Sequence, residues 1–504
     1  MLLLGSVFIV AACGLVYELI AGAVSRYILG NAVTQFSLVI GVFLCSMGLG
    51  SFLAKFITAR LLKTFIEIEI WIGLIGGVSS IAMFSISAFA EAIFPVFFFG
   101  LCILLGILIG IEIPLLIRIL KDSSGFLESL SHVLALDYIG ALAGSIAFPF
   151  IVLPYLGLSR ASVVFGIMNL VVAGAGMTLL AGVRKWMAIR LSAAVLILFT
   201  MLVFSTRLVG FLEDLLYQDY IVYAKTSAHQ RIVMTRWRDD IRLYLNGHLQ
   251  FSAIDEARYH EALVIPAMES ALRPQNILIL GGGDGLAARE VLKYRTVERV
   301  TLVDIDPFIT SLGQTRPELL AINRGSLNSE KLTVVNRDAM KFVEQSRDFF
   351  DVIIVDLPDP SSEALAKLYS KSFYVLCARR LRPGGILVTQ ATSPLYAPRA
   401  FWCIYQTLAE AVPEISGLAK FAPVPYHVNV PSFGEWGFIL AGKQPVSPKQ
   451  LSPSVPTRFL NSETIRAMFG LSRDMQPPGN LQTNRLDRPV LYEYYRRGWK
   501  KYNE

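Results

Sequence analysis

The feature that most limits how this chain can fold is a succession of long apolar runs in its first 206 residues, at about 2–24, 34–57, 69–90, 93–119, 133–155, 160–182 and 188–206. Each approaches or exceeds the roughly 20 residues that a helix needs to cross a bilayer core of ~30 Å. About seven spans are therefore expected, packed as an α-helical multi-pass membrane bundle. The spacings Gly106-xxx-Gly110 and Gly140-xxx-Gly144 would let helix backbones approach closely, and Pro114, Pro149 and Pro154 would bend them. The N-terminus is apolar from its start, with no basic segment before it and no small-residue cleavage site, so it reads as the first membrane helix.

Charge is partitioned in the same way. Of 46 Lys+Arg and 39 Asp+Glu, the first 206 residues hold only 10 and 8, in a chain of 504 residues that is 54% hydrophobic and 17% charged. Two regions with different solvents follow. The net charge of +7 is spread without a long run of like charge or a basic strip with interleaved aromatics, which argues against nucleic-acid binding. Five cysteines, none in a CxxC pair, indicate neither a disulfide framework nor a zinc site.

Three acids fall in or beside the apolar runs: Glu18, Glu112 and Asp137. An ionised carboxylate facing lipid is costly, so each should face the bundle interior, either in a structural hydrogen-bonded cluster or as an intramembrane site for a cation or proton. The basic residues Lys55, Arg60, Lys63, Arg118, Lys121, Arg184, Lys185 and Arg190 fall on one side of the seven-span arrangement, against Arg26, Arg160 and Arg207 on the other. By the positive-inside rule this places the C-terminal half outside the cytosol.

From about residue 220 the pattern changes to short β-branched runs alternating with helical stretches, the signature of a parallel sheet flanked by helices. Strands are predicted at 276–281, 299–304, 332–336, 351–356 and 385–390, preceded by hairpin strands in "RIVMTRW" and "IRLYLNGHLQ". The expected organisation is a membrane domain over 1–206, a catalytic domain over 207–443 and a linker with a tail over 444–504. Within the catalytic domain, a small β-sheet over 228–252 precedes a Rossmann-like, methyltransferase-type α/β core over 272–443.

The first core strand runs into Gly281-Gly282-Gly283-Asp284-Gly285, and Asp304 closes the next strand. Glycines let the backbone approach a ligand, and a carboxylate at the second strand end can accept both ribose hydroxyls. The spacing is GxGxG rather than GxGxxG, which favours an adenosyl sulfonium compound over NAD. Asp338, after the third strand, could meet the adenine end. Asp284 lies inside the loop. A carboxylate there repels the carboxylate of S-adenosylmethionine and attracts the ammonium that its decarboxylated form keeps; the alternative is an Asx turn. After the fourth strand, Asp356-Leu357-Pro358-Asp359-Pro360 puts two acids at the ligand crevice, where they can bind a cationic amine and take a proton from it.

With these residues in place the chain resembles the polyamine aminopropyltransferases, the spermidine synthase family. The pieces "HQRIV", "LNGHLQFSAIDEARYHEAL", "ILGGGDGLAARE", "VDID", "NRDAMKF", "VDLPDP", "LYSKSFY", "LRPGGILVTQ" and "FGEWGFILAGK" occur in that order. The apolar half is similar to the membrane-embedded bacterial branch. The resemblance implies that Gln230, His260, Asp284, Asp304, Asp338 and Ala339 contact the cosubstrate, and that Tyr259, Asp356 and Asp359 form the amine site, with Asp356 as general base. It implies transfer of the aminopropyl group from decarboxylated S-adenosylmethionine to putrescine or a related amine, giving spermidine and methylthioadenosine. It also implies a homo-oligomer, with neither a metal nor a resident cofactor. Pro431 stands where relatives often carry a tyrosine of the amine pocket.

An amine methyltransferase on the same scaffold, or a polyamine transporter or sensor, are the competing readings. The chain is expected in the cell (inner) membrane. Supply of the cosubstrate puts the catalytic domain in the cytoplasm, against the loop charges. The tail "DRPVLYEYYRRGWKKYNE" suits packing on headgroups or on the catalytic domain, or a plain surface helix.

Overall fold

The computed structural model describes residues 2–29, 32–124, 126–180, 185–217, 219–227, 229–411, 420–443 and 445–503. Residues 181–182 of the sixth apolar run, and 228 and 444 at the domain edges, lie outside them. The chain divides into two compact units, Met1–Gln218 and Asp219–Glu504.

The first unit is helical: α1 (Leu2–Leu29), α2 (Ala32–Leu53), α3 (Leu61–Phe89), α4 (Phe94–Ser124), α5 (Phe126–Ala147), α6 (Leu153–Met177) and α7 (Lys185–Tyr217). Leu44, Phe52, Trp71, Val96, Phe150 and Phe199 are exposed on its outside while a second set of apolar side chains fills its interior. Helices apolar around their whole circumference lack the polar face of a water-soluble bundle. Six helical segments among the described residues are long and apolar enough to cross a membrane, and the longest, Leu127–Met177, has 51 residues. Within it a π-helical turn, Phe148–Val152, containing Pro149 joins α5 to α6, and Gly157 leaves the helical region at φ 69°, ψ 175°.

Contacts fix the helix directions. Gly140 lies against Phe8 and Gly144 against Ala12, so α5 runs beside α1 in the same sense. Asn169 meets Glu69 and Ser162 meets Gly77, so α6 runs against α3 in the opposite sense. The small-residue spacings act as expected: a Cβ on Gly140 would stand 2.4 Å from the Phe8 carbonyl oxygen, and one on Gly110 would stand 2.2 Å from that of Met47. Several boundaries differ: α5 begins at Phe126 and α6 at Leu153, each seven residues before the expected run, and α7 continues to Tyr217. The third run was expected from 69, but α3 begins at Leu61, because Lys63 and Glu67 pair one turn apart at 3.4 Å and are accommodated in the helix. Glu69 is thereby carried two turns inside and is fully buried.

The second unit opens with an antiparallel sheet ordered β1 (Tyr220–Thr226), β2 (Arg231–Trp237), β3 (Asp240–Leu245), β4 (His248–Ser252). The segment "IRLYLNGHLQ" carries β3 and β4 with a turn between them. Asn246 and Gly247 both take positive φ, 52° and 83°, the turn that matches the twist of a two-residue hairpin.

The larger sheet contains β5 (Asn276–Gly281), β6 (Arg299–Asp304), β7 (Leu332–Asn336), β8 (Phe350–Asp356), β9 (Leu381–Gln390), β10 (Ala422–Val430) and β11 (Gly434–Gly442), in the order β10-β11-β9-β8-β5-β6-β7. Strands β5 to β9 are parallel, and the β10–β11 hairpin closes one edge antiparallel. Side chains alternate between two cores. Leu278, Leu280, Ile353 and Val355 face one, while Ile277, Ile279, Val352 and Ile354 face the other. The flanking helices are α8 (Glu256–Ser270), α9 (Leu286–Val291), α10 (Pro307–Thr315), α11 (Pro317–Asn323), α12 (Ala339–Gln345), α13 (Glu363–Ala366), α14 (Lys371–Arg380), α15 (Pro398–Ala409), α16 (Ser462–Met468) and α17 (Val490–Asn503). Three of the predicted core strands have the expected bounds; β8 starts one residue earlier, and β9 reaches back to Leu381.

Candidate active site

The chain leaves β5 for β6 and β7 on one side and returns to lay β8 on the other, so the carboxyl ends of β5 and β8 border a crevice. Across that border Gly281 is in register with Asp356. Gly281 takes φ 87°, and a Cβ there would stand 1.9 Å from the Asp356 carbonyl oxygen, so only glycine lets the two strand ends meet. The turn then delivers the Gly283 N–H to Asp304 Oδ2 at 3.1 Å, and the other oxygen of Asp304 accepts the Asp306 N–H at 2.8 Å.

Gln230, from the small sheet, reaches the same corner: its Nε2 donates to Asp306 Oδ2 at 3.0 Å, beside the Ser227 hydroxyl at 2.7 Å. Asp284 forms the Asx-type turn, with Oδ1 accepting the Leu286 N–H at 2.9 Å. Asp338 caps α12 through the Lys341 N–H at 3.0 Å and meets Lys367 Nζ at 3.2 Å. Ala339 is buried beneath it in the core.

Helix α8 places two consecutive side chains. The Tyr259 hydroxyl donates to Asp356 Oδ1 at 2.9 Å. His260 Nδ1 lies 2.8 Å from the Glu256 carbonyl oxygen and 3.1 Å from Glu256 Oε2. Glu256 in turn receives both Arg289 Nη atoms, at 2.9 and 2.8 Å, and Arg458 Nη1 at 2.7 Å. Burial would push the Glu256 carboxyl up, but the His260 and Arg289 hydrogen bonds and charges outweigh it and hold it at about 2. That fixed anion orients His260 and raises its basicity against the effect of burial.

The pocket acids behave differently. Burial pushes Asp284, Asp304 and Asp359 each up to about 6, and raises Asp356 as well. Asp338, whose burial is outweighed by the Lys341 N–H and by Lys367, lies below the ordinary carboxylate value. Four acids thus gather at the crevice with the His260 ring beside them, an arrangement that a cationic ligand would stabilise.

Several residues of the site were not singled out from the sequence. Tyr369, inside "LYSKSFY", donates toward the Leu357 and Pro358 carbonyl oxygens, both at 3.0 Å, and Gln390 Nε2 donates to the Leu357 carbonyl oxygen at 2.8 Å. Together they hold the loop between Asp356 and Asp359. Thr392 Oγ1 donates to Asp359 Oδ2 at 3.3 Å. Pro431 is exposed, and the turn that follows it is tied to Asp255 through the Ser432 N–H at 2.7 Å and hydroxyl at 2.9 Å. Phe433 and Trp436, not residue 431, approach Tyr259, at ring separations of 6.0 and 6.5 Å. The tail packs on this unit: Glu261 accepts the N–H groups of Arg458, Phe459 and Leu460, and Leu491 and Tyr492 of α17 enter the core beside α15.

In the helical unit, Glu18, Glu112 and Asp137 line one cavity of about 90 Å³ between α1, α4 and α5. Glu69, missed in the sequence because it opened the third run, receives Asn169 Nδ2 at 3.0 Å and stands beside Glu112. Among the described residues neither Glu69 Oε1 nor Glu112 Oε1 meets a hydrogen-bond donor.

Over residues 256–449 the sequence matches the family described as the spermine/spermidine synthase domain. It is 45% identical to polyamine aminopropyltransferase 2 of Ralstonia nicotianae over 512 residues, covering 99% of this chain and 98% of the relative. The polyamine aminopropyltransferase of Leptospira interrogans is 45% identical over 500 residues, covering 98% of each. A solved spermidine synthase in complex with the transition-state analogue AdoDATO is 26% identical with a TM-score of 0.45, covering 50% of this chain and 86% of that chain.

Proposed function

The chain belongs to the polyamine aminopropyltransferase family, and we propose that its second unit transfers the aminopropyl group of decarboxylated S-adenosylmethionine to putrescine or a related diamine. Asp304, with Gln230 behind it through Asp306, holds the ribose; Asp338 and Ala339 border the adenine. Asp284 and His260 flank the aminopropyl end, where a carboxylate favours an ammonium and opposes the carboxylate of intact S-adenosylmethionine. Asp359 binds the distal ammonium of the acceptor.

The observation that carries this reading is the 2.9 Å Tyr259–Asp356 hydrogen bond at the glycine turn, which aims a buried carboxylate of raised proton affinity into the crevice. Asp356 takes a proton from the attacking ammonium. The freed lone pair forms the new N–C bond to the aminopropyl carbon, and the C–S bond breaks with its electron pair going to sulfur. Methylthioadenosine leaves as a neutral thioether, and the positive charge passes to the product amine. Sulfonium is already a good leaving group, so the enzyme's share is deprotonation and alignment. Incubating the purified protein with decarboxylated S-adenosylmethionine and a panel of diamines tests this. Methylthioadenosine and spermidine are the expected products, whereas methylated amine formed from intact S-adenosylmethionine would reverse the assignment.

We further propose that the helical unit lies in the cell membrane with seven passes. A continuous 51-residue helix would extend roughly 75 Å, far beyond a ~30 Å core, and the break at Gly157 together with the opposite senses of packing of α5 and α6 supports two passes there. The catalytic unit is placed in the cytoplasm, where the cosubstrate is supplied; a C-terminal reporter active only outside the cytosol would overturn that placement. The cavity lined by Glu18, Glu112 and Asp137 is read as a cation site. Glu112→Gln and Asp137→Asn variants that leave amine binding and flux in proteoliposomes unchanged would remove it.

A further inference from the structure

The C-terminal helix reaches the amine end of the pocket. Gly498 brings α17 onto the 396–397 segment so closely that a Cβ would stand 2.7 Å from the Ala397 Cα. On the pocket side, the Tyr495 hydroxyl faces the Asp359 carboxylate. One turn on, Trp499 Nε1 donates to Thr392 Oγ1 at 3.2 Å, and Thr392 Oγ1 stands 3.3 Å from Asp359 Oδ2. Indole N–H can only donate and a hydroxyl carries one proton, so Trp499 aims the Thr392 proton at Asp359.

Thr392 is also unusual in its backbone. It is β-branched yet has φ 57°, a conformation that persists only where the surroundings impose it. Its N–H is taken by Gln390 Oε1 at 3.0 Å, and its carbonyl accepts the Gly437 N–H at 2.7 Å. The result is an Asp359 with Oδ2 supplied from α17 through Thr392 and Oδ1 buried without a hydrogen-bond donor among the described residues. Around it the Trp499 ring lies 6.2 Å from Trp436 and 6.1 Å from Tyr495. A carboxylate oxygen in need of a donor beside aromatic faces is a receptor for an alkylammonium group.

We propose that α17 is the far wall of the acceptor pocket, with Tyr495 and Trp499 determining which amine is accepted by orienting Asp359 and closing the space beyond it. This inference rests on the aminopropyl-transfer reading. It assigns a short diamine with a terminal primary ammonium as the acceptor, since a longer polyamine would run into Trp499. It also accounts for the exposed Pro431: the tyrosine at the amine end comes from the tail, more than sixty residues later in the chain.

The test uses full-length protein in detergent with decarboxylated S-adenosylmethionine and 1,3-diaminopropane, putrescine, cadaverine and spermidine as acceptors, following methylthioadenosine. In Trp499→Ala the KM of the preferred diamine should rise at least tenfold. The kcat/KM of spermidine relative to that diamine should also rise at least tenfold, while the KM of the cosubstrate stays within twofold. Tyr495→Phe, which keeps the ring and the packing, should raise the acceptor KM severalfold with little change in kcat. Variants that bind the nucleoside normally and keep the wild-type acceptor profile would overturn the inference alone. A wild-type protein that forms no methylthioadenosine with any amine would overturn the transfer reading as well. Should Trp499→Ala fail to bind nucleoside, Tyr495→Phe decides the question.

Discussion

The two halves of the catalytic crevice are built in opposite ways. The half proposed for the nucleoside is centred on one continuous stretch, β5, the glycine turn, α9 and the end of β6, whose residues hold one another, Gly283 on Asp304, Leu286 on Asp284 and Asp306 on Asp304, with Gln230, His260, Asp338 and Ala339 added around it from other elements. The acceptor half is assembled from parts scattered over the chain, Tyr259 on α8, Asp356 and Asp359 after β8, Thr392 after β9, Trp436 on β11 and α17 at the C-terminal end. A local unit can carry a ligand common to many enzymes, while a wall made from distant segments can be changed piece by piece. Acceptor choice is therefore the property most open to variation.

The sharpest way to break this comparison is at the seam. Asp356 abuts the glycine turn yet is the base proposed for the amine, so Asp356→Asn should lower kcat by about 10²–10⁴, the usual worth of a general base, and leave nucleoside binding within a few-fold by equilibrium titration. A comparable loss of nucleoside affinity would mean that the two halves are not separable. A smaller effect is expected for Asp284→Asn. Removing one charge-assisted contact to the ammonium, about 1.5–3 kcal/mol, should weaken decarboxylated S-adenosylmethionine roughly 10- to 100-fold and narrow its advantage over the intact compound, with the acceptor KM unmoved.

The same contrast explains what was legible in the sequence. The corner proposed for the nucleoside was legible because glycines, strand ends and acids follow at fixed offsets, and the structure brings Asp284, Asp304 and Gln230 together there. Asp356 and Asp359 stood out as a pair of acids at a strand end. Thr392, Trp436, Tyr495 and Trp499 carry no local signal: an aromatic in a tail reads equally well as a surface or membrane-facing residue until the fold brings it to the pocket. Glu69 escaped for a related reason, since a charge near the end of an apolar run marks a boundary unless a buried partner such as Asn169 lies across the bundle.

The mildest prediction concerns acidity, and it separates the halves by ligand. Asp284 and Asp304 on one side and Asp359 on the other rise to about 6 on burial, from 3.8 ordinarily. A carboxyl raised on folding holds its proton in the native state between those values while the unfolded chain has lost it. Stability therefore falls as pH rises from about 4 to about 6, and the cost persists above. A bound cation lowers the affinity for that proton and recovers the loss. Amine binding should accordingly weaken as pH drops through about 6, where Asp359, facing Tyr495, Tyr369 and Thr392, takes up its proton. The acceptor kcat/KM against pH reads this directly. In unliganded protein at pH 7–8, Asp359→Asn should raise the melting temperature by about 2 °C or more, and added diamine should stabilise the wild type but not the variant. Added methylthioadenosine should stabilise both alike, because it occupies only the nucleoside half; a variant that loses that response would show the two halves to be coupled through Asp359.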